Sequence, residues 1–589
     1  MNFRLLYKVS TWLVVLAAVA GAASAVSISS LSANGTTIGR YDRYEVTFNM
    51  TGVSPSNYNP FRPETTSDSL SPAGIDVWAD VVTPSGKSQK VWGFYDVDYD
   101  YLGNSKKFKE RDRFVPASAP HWMVRYAPME VGMYRMTVNV KDSSGTASSQ
   151  QLTFNCTESG SKGFIKVAAD GSRFTYSDGS PFVPFGSMMP YGTDQVASYI
   201  PKMKANGMNF VRRWLVNRDQ DDIYRNLEGW TNYSTDISTF HSGARSAIYN
   251  VTGANTIADQ SFIGCKPNTY YKAFAYIKTS SSFNGTAAVY VVEDRSDSST
   301  SNKTGNTVGS GKDWTYSEVI FKTAANAELL HFKPKVVSGS SGTVWIDDVG
   351  LYECDSTGKV TVNYNMVFNP SFEPWTPAQL RMIPLARVEY LLKTAEANGV
   401  AVQPCMFDYR LWNPSNPTGF YSSYFGDWWT DSANIAQQRR DIRYLVARFG
   451  AFRSVFAWEL ANEMDSSYTT VRDNWISNHA NYIKQNDPNG HMITNSYWNS
   501  PADYQYSQIS ALDLSQVHYY INTEEPSFSA SAREARAKWG NGARRQAGTS
   551  GALPTISAIT GAVWRGTASN RTDWRSTQDQ GIGMTPICW

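Results

Sequence analysis

The hydrophobic period of this chain changes along its length, and that change restricts the possible folds more than any composition value. From Val26 to about Gly160 apolar residues alternate with polar ones. The runs are Tyr44-Glu45-Val46-Thr47-Phe48, Ile75 to Val81 and Tyr134 to Val140, separated by Pro-Ser-Gly and Ser-Ser-Gly turns. Period two with such turns predicts an antiparallel β-sandwich over 26–160. After Gly179-Ser180 the rhythm becomes strand, helix, strand. Phe182 to Gly186 is a short apolar strand, and Val196, Tyr199, Ile200 and Met203 keep helical spacing. Ala205-Asn206-Gly207 stops that helix, and Met208 to Trp214 is the next strand. Alternation then returns over 227–373, with its best strands at Tyr271–Ile277, Ala287–Val292 and Val344–Tyr352.

The α/β rhythm resumes at 374. Thr376-Pro377-Ala378-Gln379 reads as a capping box with Pro at the first helical position. Leu380, Ile383, Val388, Leu391, Leu392 and Ala395 follow helical spacing, and Gly399 ends the helix. Val400–Met406 is the third strand, Ile442–Phe449 lies in a helix, and Ser454–Trp458 is a fourth strand that leads into Asn462-Glu463. A helix through Val471, Trp475 and Ile483 follows, then strands at Met492–Asn495 and Leu514–Tyr520. The expected fold is therefore multidomain: an N-terminal β-sandwich and a (β/α)8 (TIM) barrel, split as 161–226 and 374–540 around an inserted β-sandwich at 227–373. A doubly wound open sheet is the alternative, and no Gly-rich phosphate loop supports it.

At 589 residues the chain is too long for one core. A net charge of +2, without any Lys/Arg-rich block, gives no reason to invoke nucleic acid. Residues 1–25 read as an export signal: a basic start, an apolar stretch from Trp12 to Ala20, and Ala23-Ser24-Ala25 as the cleavage site. No later segment approaches the ~20 apolar residues of a membrane span, so a secreted location is expected. The five cysteines lack metal-ligand spacing. Cys265 and Cys354 fall in one module, either as a disulfide or as two independent buried thiols. The 14% aromatic content suits sugar faces and ordinary cores equally.

A carboxylate at the carboxyl end of an apolar strand sits where barrel enzymes place chemistry. Phe456-Ala457-Trp458-Glu459-Leu460-Ala461-Asn462-Glu463 resembles the acid/base motif of retaining glycoside hydrolases of clan A, most closely the family five β-mannanases and endoglucanases. The resemblance implies that Glu463 is the proton donor and that Asn462 holds the sugar beside the scissile bond. From the residues alone, a capping Asn beside a solvated Glu is the competing reading. Arg212 is similar to the second-strand Arg that such enzymes place beside the nucleophile, or else it closes the core with a salt bridge. His518 and Tyr520 resemble the sixth-strand His-x-Tyr, with a satisfied core histidine as the alternative. Trp412, Trp428, Trp429 and Trp498 follow strands three and five, where indoles stack on sugars or simply pack loops. Residues 26–160 are similar to an immunoglobulin-like accessory domain. Residues 227–373, ending in Val-Trp-Ile-Asp-Asp-Val-Gly-Leu-Tyr-Glu, resemble jelly-roll carbohydrate-binding modules. The resemblance implies a monomer acting on polysaccharide, mannan or another β-1,4-glycan, with no cofactor and no metal.

Retaining hydrolysis uses two carboxyls roughly 5–5.5 Å apart. The nucleophile of this clan lies at the end of strand seven, and no such residue follows Gly540. Asp573 and Asp579, the acidic residues of 541–589, lack a preceding apolar strand, and Glu524 and Glu525 come one strand too early. Residues 541–589 show neither helical nor strand period, so an aberrant or disordered tail, from a shifted reading frame, is expected. Two functions follow: a hydrolase by lineage whose activity is in doubt, or a non-catalytic carbohydrate-binding protein with a degenerate barrel.

Overall fold

The computed structural model describes residues 26–51, 75–109, 111–142, 145–171, 173–189, 196–215, 223, 230–373, 382–408, 411, 427–462, 464, 469–498, 509–519 and 557–561. Its N-terminal part is two antiparallel layers sharing one strand. Residues Ser88–Asp96 pair through their first half with Asp76–Val82 and through their second half with His121–Tyr126. Gly93 sits at that crossover, where a Cβ would lie 2.4 Å from Val77 Cγ1. A side chain there would collide with Val77, so glycine leaves the room to that residue. Tyr44–Thr51 and Gly132–Asp142 flank this pair, and Val46, Phe48, Val81, Val124, Val138 and Phe154 fill the space between.

The inserted module also has two main layers. One sheet holds Ser234–Asp236, Ser246–Asn250, Thr343–Cys354, Tyr270–Thr279 and Thr315–Lys322, and another holds Gln260–Gly264, Ala327–Phe332, Tyr290–Arg295 and Thr300–Thr304. Along Tyr270–Thr279 every second residue is buried, as period two requires of a half-buried strand. Cys265 and Cys354 both lie in this module as free, buried thiols, so the disulfide alternative does not hold. A core dense in Tyr271, Phe283, Val289, Leu330 and Ile346 holds the layers without it.

A further set of strands runs parallel and follows chain order, in a five-stranded sheet and a three-stranded sheet that meet at Asn495. They are β1 (Gly186–Met188), β2 (Phe210–Trp214), β3 (Ala401–Asp408), β4 (Ala457–Asn462), β5 (Met492–Thr494, resuming as Ser496–Trp498 past Asn495), β6 (Ser515–Tyr519) and β7 (Ser557–Gly561). The order has no reversal, which separates it from a doubly wound sheet. Among the described residues no pairing joins β7 to β1. Helices α1 (Val196–Ala205), α2 (Met382–Asn398), α3 (Ser432–Phe449) and α4 (Thr469–Asn486) connect the strands. Val211, Val402, Met406, Trp458, Leu460 and Ile493 pack against Ile200, Leu385, Leu392, Leu445 and Ile476 from these helices. Left-handed glycines end two of them, Gly207 at φ +74° and Gly399 at φ +66°.

Three expectations change. The segment from Phe182 to Gly186 is not one strand. Pro181–Phe182 belongs to a small antiparallel sheet with Phe174–Tyr176 and Ile165–Val167, and the parallel strand begins at Gly186. Proline at position 184 cannot donate to a ladder, which fits the break there. The fourth strand starts at Ala457 rather than at Ser454, and it runs into Asn462 as expected. Within 541–589, where no strand was expected, Ser557–Gly561 pairs parallel to β6. Its sequence, Ser-Ala-Ile-Thr-Gly, is too short and too small in side chain to register as period two. The capping box at Thr376 lies outside the described residues.

The N-terminal sandwich docks on α2 and α3 through buried charge. Arg125 donates to Glu389 at 3.0 Å and to the Arg448 carbonyl at 2.6 Å, while Arg448 pairs with Asp96 at 2.7 Å. Burial pushes the Glu389 carboxyl up, but Arg125, Arg448 and Lys393 together hold it well below the usual carboxylate range. The inserted module is held by the same sandwich. Ser105 Oγ donates to Glu328 at 2.7 Å, and the Lys106 amide does so at 3.0 Å.

Candidate active site

Charge sits in the middle of the parallel sheet. Arg212 on β2 and Glu459 on β4 are both buried, Glu459 with 0% exposure. They form a two-pronged pair: Arg212 Nε donates to Glu459 Oε2 at 2.7 Å and Nη2 donates to Oε1 at 2.6 Å. A planar guanidinium matches a carboxylate edge in this way and fixes both groups. Gln403 on β3, in register with Arg212, donates to Glu459 Oε2 at 2.8 Å and to Gln516 Oε1 on β6 at 2.6 Å. The network therefore ties β2, β3, β4 and β6 across the sheet's polar face.

Arg212 Nη2 also donates to Asn462 Oδ1 at 2.7 Å. Because a guanidinium only donates, this bond orients the amide, with its oxygen toward Arg212 and its nitrogen away. Asn462 is fully buried, yet its Nδ2 has no hydrogen-bond partner among the described residues. A buried donor left unpaired costs about 1–3 kcal/mol, so a hydroxyl that accepted from it would stabilise the site. It lies at the carboxyl end of β4, with Asp408 at the end of β3 in register beside it. The backbone there is held by a side chain: Ala461 N donates to Asn495 Oδ1 at 2.9 Å, where β5 interrupts. Cys405 pairs in register with Glu459, and burial, reinforced by the Glu459 charge, pushes its thiol well above the normal range. That thiol is not a nucleophile.

The structure brings Arg212 and Asn462 together, with Arg212 gripping Glu459. Glu463, Tyr520 and Trp412 lie outside the described residues. For His518 and Trp498 the structure gives the backbone, and they are register partners on β6 and β5. Trp428 is 2% exposed and packs edge-on against Phe407 at 5.4 Å, while its carbonyl accepts from Gln438 Nε2 at 2.9 Å. It is therefore core packing rather than a stacking platform for sugar. Trp429 is half-buried, edge-on to Trp475 at 5.8 Å. Sequence reasoning missed Glu459, Gln403, Gln516 and Asp408. The available signal was a carboxylate inside an apolar run, which burial permits only with a partner.

Stretches of the chain are similar to fungal endo-mannanases. One is 30% identical over 157 residues to mannan endo-1,4-beta-mannosidase A of Podospora anserina, covering 23% of this chain and 41% of that protein. Another is 26% identical over 227 residues to mannan endo-1,4-beta-mannosidase A of Aspergillus aculeatus, covering 34% and 51%. The chain spans about half or less of the length of these relatives. No family model matches it. Among solved structures, the endo-1,4-beta-D-xylanase 10B of Clostridium thermocellum overlaps 58% of this chain and 81% of its own at 14% identity, with a TM-score of 0.24. A family 16 carbohydrate binding module overlaps 21% and 90% at 21% identity, with a TM-score of 0.19.

Proposed function

We propose that this chain is a secreted glycoside hydrolase by lineage, directed at β-linked polysaccharide such as mannan, with the acid/base half of a retaining site at Asn462-Glu463. The observation that carries the reading is the buried, unpaired Asn462 Nδ2, oriented by Arg212 at the carboxyl end of β4. An amide donor fixed in that place can hold a sugar hydroxyl, and the next residue, Glu463, is a carboxyl suited to protonate a glycosidic oxygen. The partial similarity to fungal mannanases supports the same substrate class. We read the parallel strands as most of a (β/α)8 barrel, whose strand ends carry the chemistry. In this role Arg212 is a positioning residue, acting through Asn462 and Glu459.

Among the described residues no carboxyl stands in the nucleophile's place. The strand beside β6, Ser557–Gly561, carries no carboxylate. That observation favours a second reading, a glycan-binding protein whose barrel has lost turnover. Incubation with soluble and insoluble β-mannan and other β-1,4-glycans separates the two. New reducing ends, abolished by Glu463→Gln, establish the hydrolase. Retardation in a glycan affinity gel without new ends establishes the binder. Neither turnover nor retardation on any β-glycan removes both.

A further inference from the structure

The N-terminal sandwich carries an unassigned group of metal-binding side chains, distant from the sheet that holds Asn462 in chain position and in role. Asp96 and His121 are cross-strand partners in the antiparallel pair Ser88–Asp96 and His121–Tyr126, so their side chains share a face. Asp98 follows two residues later, and its amide is bound by Ser118 Oγ at 3.0 Å. One ligand atom from each of the three residues lies within 4.8 Å of the others.

The imidazole supplies the second observation. His121 Nδ1 is 3.2 Å from the Ala119 carbonyl, an acceptor only, so Nδ1 carries the proton. In the neutral ring, Nε2 then presents a lone pair. That atom is buried and without a hydrogen-bond partner among the described residues, 4.0 Å from Asp98 Oδ2. A proton on Nε2 makes this contact an ion pair, and a bound cation would take that proton's place between the same nitrogen and the Asp98 carboxylate. Zinc bonds of about 2.1 Å to imidazole nitrogen and carboxylate oxygen at a tetrahedral angle span about 3.4 Å, so the exposed Asp98 side chain would close by roughly 0.6 Å on an ion. An imidazole whose other nitrogen donates to a backbone carbonyl is also the usual state of a metal-bound histidine. Asp96 can contribute because the Val97 amide and Arg448 Nη2 both use its Oδ1, which leaves Oδ2.

We propose that Asp96, Asp98 and His121 bind a transition-metal dication of the zinc type, with solvent completing the coordination. The mixed nitrogen and oxygen donor set disfavours Ca2+ and Mg2+, which prefer all-oxygen shells. Because Asp96 also pairs with Arg448 on α3, the ion would brace the seat of the sandwich on the parallel-sheet domain. No spacing in the sequence announces the site, since strand pairing alone brings His121 to Asp96.

Full-length protein stripped with EDTA tests this by calorimetric titration and thermal melting with Zn2+. One equivalent should bind and raise Tm, and Co2+ in its place should develop visible absorption bands. Asp98→Asn is the decisive variant: its side chain is 54% exposed, so the fold should tolerate the change. It and His121→Ala should each weaken zinc binding by more than about tenfold. The assignment is overturned if the parent protein binds no zinc, if a folded Asp98→Asn protein binds it undiminished, or if Ca2+ or Mg2+ raises Tm as much as Zn2+ does.

Discussion

A carboxylate in the middle of a buried strand persists when a fixed counter-charge and further donors satisfy it, and Glu459 has both in Arg212 and Gln403. Removing one partner of such a pair leaves the other charge buried and uncompensated, at a cost of about 3–5 kcal/mol. Glu459→Ala should therefore lower unfolding free energy by that amount in urea titrations. Glu459→Gln, which still accepts from Arg212, should lose less; equal losses would mean that the charge is irrelevant. Asn462 behaves differently, because its buried Nδ2 meets no partner among the described residues. Asn462→Ala should weaken glycan retention about tenfold, the loss of one good hydrogen bond, and should lower the urea midpoint less than Glu459→Ala, because Arg212 keeps its pair with Glu459. Unchanged retention would remove Asn462 from the glycan site.

Helix α3 begins at Asp431, whose carboxylate accepts from the Asn434 amide at 2.9 Å. Asp431→Ala removes this cap and should destabilise the protein by about 1 kcal/mol, read as a lower urea midpoint. Helix α4 carries a buried pH response. His479 stacks on Trp475 at 4.3 Å and binds its carbonyl at 2.9 Å, with Nε2 buried and unpaired. Burial is the main cause that lowers its pKa to about 3, with Arg439 adding to it and the Trp475 carbonyl opposing. The unfolded imidazole titrates near 6.5, so between about pH 6.5 and 3 the unfolded state binds the extra proton. Stability from this residue is therefore complete above pH 6.5 and lost as pH falls, by up to about 1.4 kcal/mol per pH unit. His479→Gln should flatten the decline of Tm between pH 7 and pH 4. An unaltered slope would place the acid response elsewhere.

At the scale of the molecule, the N-terminal sandwich is structural cement for both other parts. It meets α2 and α3 through Arg125, Glu389, Arg448 and Asp96, and it meets the inserted module through Glu328. Arg125→Ala deprives Glu389 of one cation and leaves it Arg448 at 3.1 Å and Lys393 at 2.9 Å. The expected result is faster limited proteolysis between the sandwich and α2, with the inserted module's own melting unchanged. Equal protease resistance in the variant would show that apolar contact alone holds the domains. Among the described residues no helix is long and apolar enough to cross a membrane.

The sequence by itself determined the local periods. Alternation set the strands Tyr44–Thr51, Tyr270–Thr279 and Thr343–Cys354, and Gly207 and Gly399 set the ends of two helices. These features depend on neighbours in the chain, and a period is visible over a few residues. The Asn462 position at a strand end was legible for the same reason. What only the tertiary structure decided were the long-range partners. Arg212 meets Glu459 and Asn462 across 247 and 250 residues of chain, and Trp428 turns into the core against Phe407 rather than outward. His121 faces Asp96 through antiparallel register, and Cys265 and Cys354 remain thiols. Such pairings follow from sheet order and burial, which a one-dimensional pattern does not carry, because a buried charge specifies that a partner is needed without specifying which.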